Sequence, residues 1–410
     1  MNTALSAPTR QKGTTMCISH TNRRDFLRTA AASGIAVAGM QALAAAPAHA
    51  QGRTVDSGDR IALTNARVFD GSRLTAPRTV VIDNGRIGVS ALGARQIDCG
   101  GAVLLPGLID AHLHLQDLGT LHQLAASGVT TGLDMACFPP ALVASLRNQP
   151  GLTDIRSAGT PGVAPGSPQS GIPGFPANAV LTGPDQAAGF VRARIAEGSD
   201  YIKVIVDEPG LSPETVRAVT VAAHFSGRLV MAHATTAATA ERALDAGVDI
   251  IQHVPLDVPL SAAAAARCAV TGTTTTPTLT MMEGFAGLGI PGLDYAAAEG
   301  SVAALHRAGA RILAGTDANH TPGIPVQPAF GTSLHHELEL LVRAGLSNAE
   351  ALRAATVLPA QSFGLRDRGS ILPGYRADLV LVDGDPLADI TATRAIRRIW
   401  IGGAEYLPAG

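Results

Sequence analysis

Lysine is almost absent from this chain: among 410 residues only Lys12 and Lys203 are lysines, whereas arginine is plentiful. A phosphate-cradling Gly-Lys-Ser/Thr loop is therefore excluded, because Lys203 is followed by Val204 and residues 51–410 contain no other lysine. No Gly-x-Ser-x-Gly elbow occurs, which removes the serine-hydrolase route. Cysteine is scarce as well. Cys99, Cys137 and Cys268 follow residue 50 without Cys-x-x-Cys spacing, so neither a disulfide framework nor a thiolate metal knot is encoded. Excess positive charge is lacking too. The net charge is −2, and it becomes −6 once Arg10, Lys12, Arg23, Arg24 and Arg28, set against Asp25, are put aside; no nucleic acid or anionic lipid is attracted by that balance. Aromatic residues, at 3%, are too few to point to a substrate.

What is abundant is apolar sequence rich in Ala and Gly, 46% hydrophobic against 16% charged, as a large buried core requires. The length suits one large catalytic unit with a small companion domain. Residues 1–50 stand apart: Arg23-Arg24 precede Asp25-Phe26-Leu27, an Ala-rich run and the small-x-small sequence Ala48-His49-Ala50. The paired arginines resemble a twin-arginine signal, which implies handling by the twin-arginine translocase, cleavage before Gln51, a periplasmic or secreted product and no stable membrane anchor.

From Gly107 onward short apolar runs alternate with amphipathic stretches. The runs are Leu108 to His114, Thr130 to Asp134, Ile155 to Gly159, Tyr201 to Val206, Leu229 to His233, Asp249 to His253, Thr273 to Thr278 and Arg311 to Asp317. Helical patterns lie between them, for example Pro213 to Phe225, Thr236 to Ala246 and Ala297 to Ala308. Alternation and count predict an α/β fold, a (β/α)8 TIM barrel over residues 106–365, with a doubly wound open sheet as the structural competitor. Ile61 to Val68, Thr79 to Val89 broken by Asp83-Asn84-Gly85, Ala377 to Val382 and Ile396 to Ile401 read as strands, so residues 51–105 and 366–410 are expected to join in a small β-sandwich domain. Thr160 to Pro184, with six prolines and five glycines, is either a loop over the substrate or a rigid surface excursion.

In Asp110-Ala111-His112-Leu113-His114 the histidines are two residues apart, a spacing that points both to one face of a strand and lets both reach one metal. Three other runs end in a metal-ligand residue type: His233, His253 and Asp317. Barrel enzymes place their chemistry at those strand ends. Lys203 lies in the middle of the apolar strand Tyr201 to Val206, where an unpaired ammonium is costly. Residues 51–410 hold 25 arginines and this single lysine, so position 203 requires something arginine lacks, a deprotonatable amine. Such an amine takes up CO2 as a carbamate, a carboxylate-like group able to bridge two cations.

Pro106-Gly107-Leu108-Ile109-Asp110-Ala111-His112-Leu113-His114, Lys203, His233, His253 and Gly315-Thr316-Asp317 resemble the ligand set of the amidohydrolase superfamily, and Gly374 to Asp383 is similar to its returning β-segment. The branch most resembled is that of the imidazolonepropionase-like and prolidase-like dipeptidases. Those carry a Gly-Gly-Val loop soon after the lysine, where this chain has Asp207-Glu208-Pro209-Gly210. The resemblance implies two divalent metal ions, zinc by preference: one held by His112, His114 and Asp317, the other by His233 and His253, with carbamylated Lys203 and a hydroxide between them. It gives Asp317 the role of proton shuttle and points to His320, Asp134, Arg156 and Asp207 as substrate-side candidates. The expected reaction is hydrolysis of an amide in a small molecule such as a dipeptide or N-acyl amino acid. Lactone, ester or phosphoester hydrolysis on the same metals, a single-metal deaminase or cyclic-amide hydrolase, and a non-catalytic periplasmic binder are the alternatives. A homo-oligomer is compatible with all of these.

Overall fold

The computed structural model describes residues 60–407 together with Arg53–Thr54, so the expected export signal at 1–50 lies outside the described residues. The chain has an α/β fold with parallel sheets. Seven of the eight expected runs form parallel strands: β1 (Leu108–Leu113), β2 (Val129–Asp134), β3 (Asp154–Ser157), β4 (Ile202–Ile205), β5 (Val230–His233), β6 (Ile250–Gln252) and β7 (Thr274–Thr276). β1 to β3 make one sheet and β4 to β7 another, each in sequence order.

Helices return the chain between strands, and their starts are encoded locally. Ser212 accepts the N–H of Thr215 and Pro213 fills the first turn of the helix Pro213–Phe225. Thr236 and Thr239 cap one another at the start of Ala237–Asp245. The third expected helix spans Tyr295–Arg307, capped by Asp294.

Strand alternation then divides the core. From β4 to β6, Ile202, Val204, Val230, Ala232 and Ile251 face the large cluster beneath the helices. Tyr201, Met231 and Ile250 face a smaller cluster on the opposite side. Period two therefore sends Lys203, His233 and Gln252 to that second side, above its apolar floor.

The eighth run is less regular than its neighbours. Ile312 bridges Thr275 in parallel, and Ala318 bridges Leu113, but no continuous ladder forms between those points. The cause lies at Gly315, where a Cβ would stand 2.5 Å from Thr276 Cγ2 and 2.7 Å from the backbone nitrogen of His112. The chain passes too close to β1 and β7 there for ordinary pleating, and two residues later Asp317 turns into the left-handed region at φ 58°.

Both ends of the described chain enter one nine-stranded sheet. Leu379–Val382 pairs antiparallel with Val103–Pro106, and Ile396–Ile401 follows beside it. The expected strand Thr79 to Val89 is a hairpin, Arg78–Asp83 and Arg86–Gly88, whose turn places Asn84 and Gly85 at positive φ. The Pro-rich segment is tied down near both ends: Gly162 bridges Val204, and Val163 bridges Val180. Among the described residues no helix is long and apolar enough to cross a membrane.

Candidate metal centre

The ends of β1, β4, β5 and β6 converge with the irregular run around Asp317. Asp110 fastens the first and last of these. Its buried carboxylate accepts the hydroxyl of Thr316 at 2.7 Å and the N–H groups of Thr316 and His112 at 3.1 Å. In turn, the N–H groups of Thr316 and Asp317 donate to the carbonyl of His112 at 3.1 and 2.8 Å. Burial pushes the Asp110 carboxyl up to about 7.

This clamp brings His112, His114 and Asp317 together, with one ligand atom from each within 4.8 Å of the others. Asp317 Oδ1 lies 3.2 Å from His112 Nε2 and 2.8 Å from His114 Nε2. The opposite nitrogens settle the tautomers: His112 Nδ1 donates to Gln252 Oε1 at 2.8 Å, and His114 Nδ1 donates to the carbonyl of Ala136 at 3.3 Å. As neutral rings both present an Nε2 lone pair to a carboxylate oxygen, while the hydrogen bond to Asp317 pushes His114 up against its burial. His112 Nε2 and Asp317 Oδ1 are buried without a hydrogen-bond partner. Three acceptors facing one another repel unless a cation or a proton sits among them, so the donor set fits a divalent metal. Burial, aided by Lys203, pushes His112 down to about 3, keeping its ring neutral and ready to ligate. Burial alone would raise Asp317, yet positive charge at His112 and His114, a proton or a cation in its place, holds its carboxyl well below the usual range.

His233 and His253 stand next to this group. Their rings meet at 2.8 Å between His233 Nδ1 and His253 Nε2, and the rings of His253 and His112 are 4.8 Å apart. Each is braced from behind, His253 Nδ1 by Thr278 Oγ1 at 2.8 Å and His233 Nε2 by Asp207 at 3.2 Å. His253 reaches inward because its backbone turns to φ 74°, which breaks strand alternation and lets Gln252 and His253 both serve the site. Lys203 is only 3% exposed. Burial pushes its ammonium down to about 7 against the pull of Asp317, Asp134 and Asp207.

The four substrate-side candidates separate. Asp207 is a brace: it accepts Thr239 Oγ1 at 2.6 Å, the N–H of Thr235 at 2.9 Å and the Thr235 hydroxyl besides His233. Those bonds outweigh burial and bring its carboxyl down to about 2. Asp134 is wholly buried and accepts the Ser157 hydroxyl and the N–H of Leu115. Arg156 is not brought to the cluster, since it pairs with Asp154 at 3.1 Å and donates to the Ile155 carbonyl. His320 is exposed and packs edge-on against Phe330, 5.0 Å between ring centres.

An α/β scaffold that gathers a His-x-His pair, two further histidines, a buried lysine and an aspartate at its strand ends defines a metal-site protein. Residues 103–405 match the Amidohydrolase family, and the chain belongs to that family. It is 27% identical over 354 residues to an adenine deaminase of Cereibacter sphaeroides strain KD131, an alignment covering 81% of this chain and 57% of the deaminase. It is 32% identical over 221 residues to the imidazolonepropionase of Deinococcus radiodurans, covering 52% of this chain and 50% of that enzyme. The chain thus spans little more than half the length of these relatives. Among solved structures, a Xaa-Pro dipeptidase with methionine bound in its active site is similar in fold, with TM-score 0.75 at 24% identity, covering 85% of this chain and 100% of that one.

Proposed function

We propose that this protein is a metal-dependent hydrolase that cleaves an amide bond at a two-cation centre in the mouth of a (β/α)8 barrel. The observation that carries this reading is the meeting of His112, His114 and Asp317, one ligand atom from each within 4.8 Å of the others, with His112 Nε2 and Asp317 Oδ1 buried. Closure of the barrel is supported by parallel bridges on each side of the eighth run, Thr275 to Ile312 and Leu113 to Ala318, and by Gly162 to Val204 between the two parallel sheets. A separate apolar core around Leu63, Ile82, Leu381 and Trp400 supports a small β-sandwich built from residues 51–105 and 366–410.

In this reading His112, His114 and Asp317 hold one cation, His233 and His253 hold the second, and Lys203 joins them as a carbamate. Zinc suits this mixture of imidazole and carboxylate donors. Bound there, such cations supply Lewis acidity, lowering the pKa of water and polarising a carbonyl. Asp317 takes the proton lost by water at a carboxylate oxygen and delivers it to the departing nitrogen. Gln252, the Ala136 carbonyl, Thr278 and Asp207 hold the four imidazoles in orientation.

Relatives named as an adenine deaminase, an imidazolonepropionase and a Xaa-Pro dipeptidase support a carbon–nitrogen bond as the target. An acyclic amide of the dipeptide or N-acyl amino acid type is one such substrate; lactones, esters and phosphoesters are the competing ones on the same centre. A single-metal deaminase or cyclic-amide hydrolase is the second reading. It is favoured by the direct contact of His233 with His253, which leaves both outside the three-residue group. Export through the twin-arginine route and a homo-oligomer are further proposals.

Lys203→Arg keeps charge and length but forms no carbamate. Metal counting with and without bicarbonate, beside intact mass under native conditions, should give two metals and one added CO2 in the parent protein. The variant should hold one metal and lose nearly all activity. Formate or acetate should partly restore Lys203→Ala. A fully active Lys203→Arg protein would leave the single-metal reading in place.

A further inference from the structure

Eight stretches of chain follow the strand ends and surround the metal centre: residues 114–118, 135–140, 158–186, 206–213, 234–237, 254–261, 277–294 and 318–331. None of them contains an arginine or a lysine, although 25 arginines occur elsewhere in residues 51–410. Three arginines reach these stretches from neighbouring helices, and each is already tied to a carboxylate. Arg194 pairs with Glu197 at 2.6 Å, Arg242 with Glu208 at 2.6 Å and Arg343 with Glu283 at 2.9 Å.

A carboxylate can also be received by the free N–H groups of a helix start. Here five helix starts have one of those groups taken by the chain's own side chain, while Pro140–Leu146 and Ala187–Ala196 begin without a side-chain cap. Asp117, Ser212, Thr236, Ser261 and Asp294 each cap the helix that follows them. The helix Leu279–Gly287 has its first N–H groups taken by Glu337, which accepts from Leu279 at 2.9 Å and Thr280 at 2.8 Å. The helix Thr332–Arg343 begins at Gly331, which sits against Gln123 and Ser127 near the far end of the helix Leu118–Ala126.

Beside polar and acidic side chains, the same stretches expose several large apolar ones. Leu118, Ile172, Val258, Leu288 and Ile324, from 38% to 54% exposed, all belong to them. Phe138 and Phe175 meet edge to face at 5.4 Å, bringing the segments after β2 and β3 together. His320, their one imidazole beyond the metal cluster, lies against Phe330.

We propose that the portion of the substrate outside the scissile bond is uncharged and apolar, so that the site takes an N-alkyl or N-aryl amide and discriminates against amides that bear a free carboxylate. This rests on the reading of the centre as an amide hydrolase and chooses within it. A carboxylate entering this mouth sheds water without gaining an arginine or lysine that is not already paired with a carboxylate of the chain. An alkyl or aryl group gains from the same surroundings by covering apolar side chains.

Matched pairs test the choice. N-benzoyl-leucine and N-benzoyl-isopentylamine share acyl group, scissile bond and branched chain, and differ by one carboxylate. Zinc-loaded protein is assayed for kcat/KM on each, and binding of each is measured by calorimetry. The neutral member should be favoured by about tenfold or more in whichever quantity is measurable. Ile324→Arg, which introduces a cation into the mouth, should narrow that gap. Equal or better turnover of the carboxylate member overturns the inference while leaving the hydrolase reading intact. Tighter binding of the neutral member without turnover of either retains the inference and removes the hydrolase reading. Equal binding without turnover overturns both.

Discussion

Gly315→Ala isolates how closely the Asp317 segment must approach β1. The added methyl would stand 2.5 Å from Thr276 Cγ2, 2.7 Å from the nitrogen of His112 and 2.9 Å from its Cβ. None of these neighbours yields easily: Thr276 is β-branched, buried and within β7, and two of the contacts are to His112 at or next to its backbone. The strain therefore falls on the run from Ala314 to Asp317. Overpacking of this kind costs about 1–3 kcal/mol. For a chain of this size that corresponds to a fall in Tm of about 1–2 °C per kcal/mol. The catalytic loss should be larger in proportion, because a displacement of about 1 Å at a site of this type costs about 10²-fold in rate. Differential scanning fluorimetry, metal content and kcat on one neutral amide measure the three effects. Gly287→Ala is the control, since nothing lies within 4 Å of its Cβ position, and it should stay within about 0.5 kcal/mol of the parent. A Gly315→Ala protein with unchanged Tm, metal content and kcat would refute the packing argument.

Asp317→Asn should retain at least one metal yet lose about 10²–10⁴-fold in kcat, and a rate within about tenfold of the parent would remove Asp317 from proton transfer. Burial pushes the Glu337 carboxyl up to about 8, so between the ordinary carboxylate range and that value the folded chain keeps a proton the unfolded chain has released, and stability falls as pH rises through the window. Glu337→Gln should flatten the decline of Tm between about pH 5 and 8, and an unchanged slope would assign it to other groups. Replacing Arg23 and Arg24 together by lysine should leave the precursor in the cytoplasm, and N-terminal sequencing of the exported parent should begin at Gln51. Undiminished export of the double variant would exclude the twin-arginine route.

Much of the scaffold was legible because alternation and capping are local. The strand Ile61–Val68 and the helix Pro213–Phe225 begin and end where their residues predict. The eighth run was legible as apolar sequence but not as an interrupted strand, since its irregularity depends on Thr276 and His112 crowding Gly315 from elsewhere in the chain. At the metal centre, His112 and His114 announce themselves by spacing. Asp110 carried the same signal, two residues before His112, and its clamp on Thr316 was missed. Gln252 gave no signal: strict alternation turns it and His253 to opposite faces, and only the positive φ at His253 allows both to serve the site. Arg156 shows another limit, because its place near a strand end does not reveal that it pairs with Asp154, two residues away.

The pairing of Val103–Pro106 with Leu379–Val382 bears on how the molecule is made. The histidine strand β1 begins directly after Gly107, while the strand that flanks its root is synthesised only after every residue of the metal centre. A nascent chain halted just before Leu379 would carry every residue of the metal centre, yet Val103–Pro106 would keep one open edge, free to pair with another chain. Closing that edge joins residues separated by nearly the whole described sequence, which makes it a slow step. The single tryptophan, Trp400, is fully buried in the core of that same sheet, so its fluorescence should register this late closure separately from metal uptake at the other end of β1.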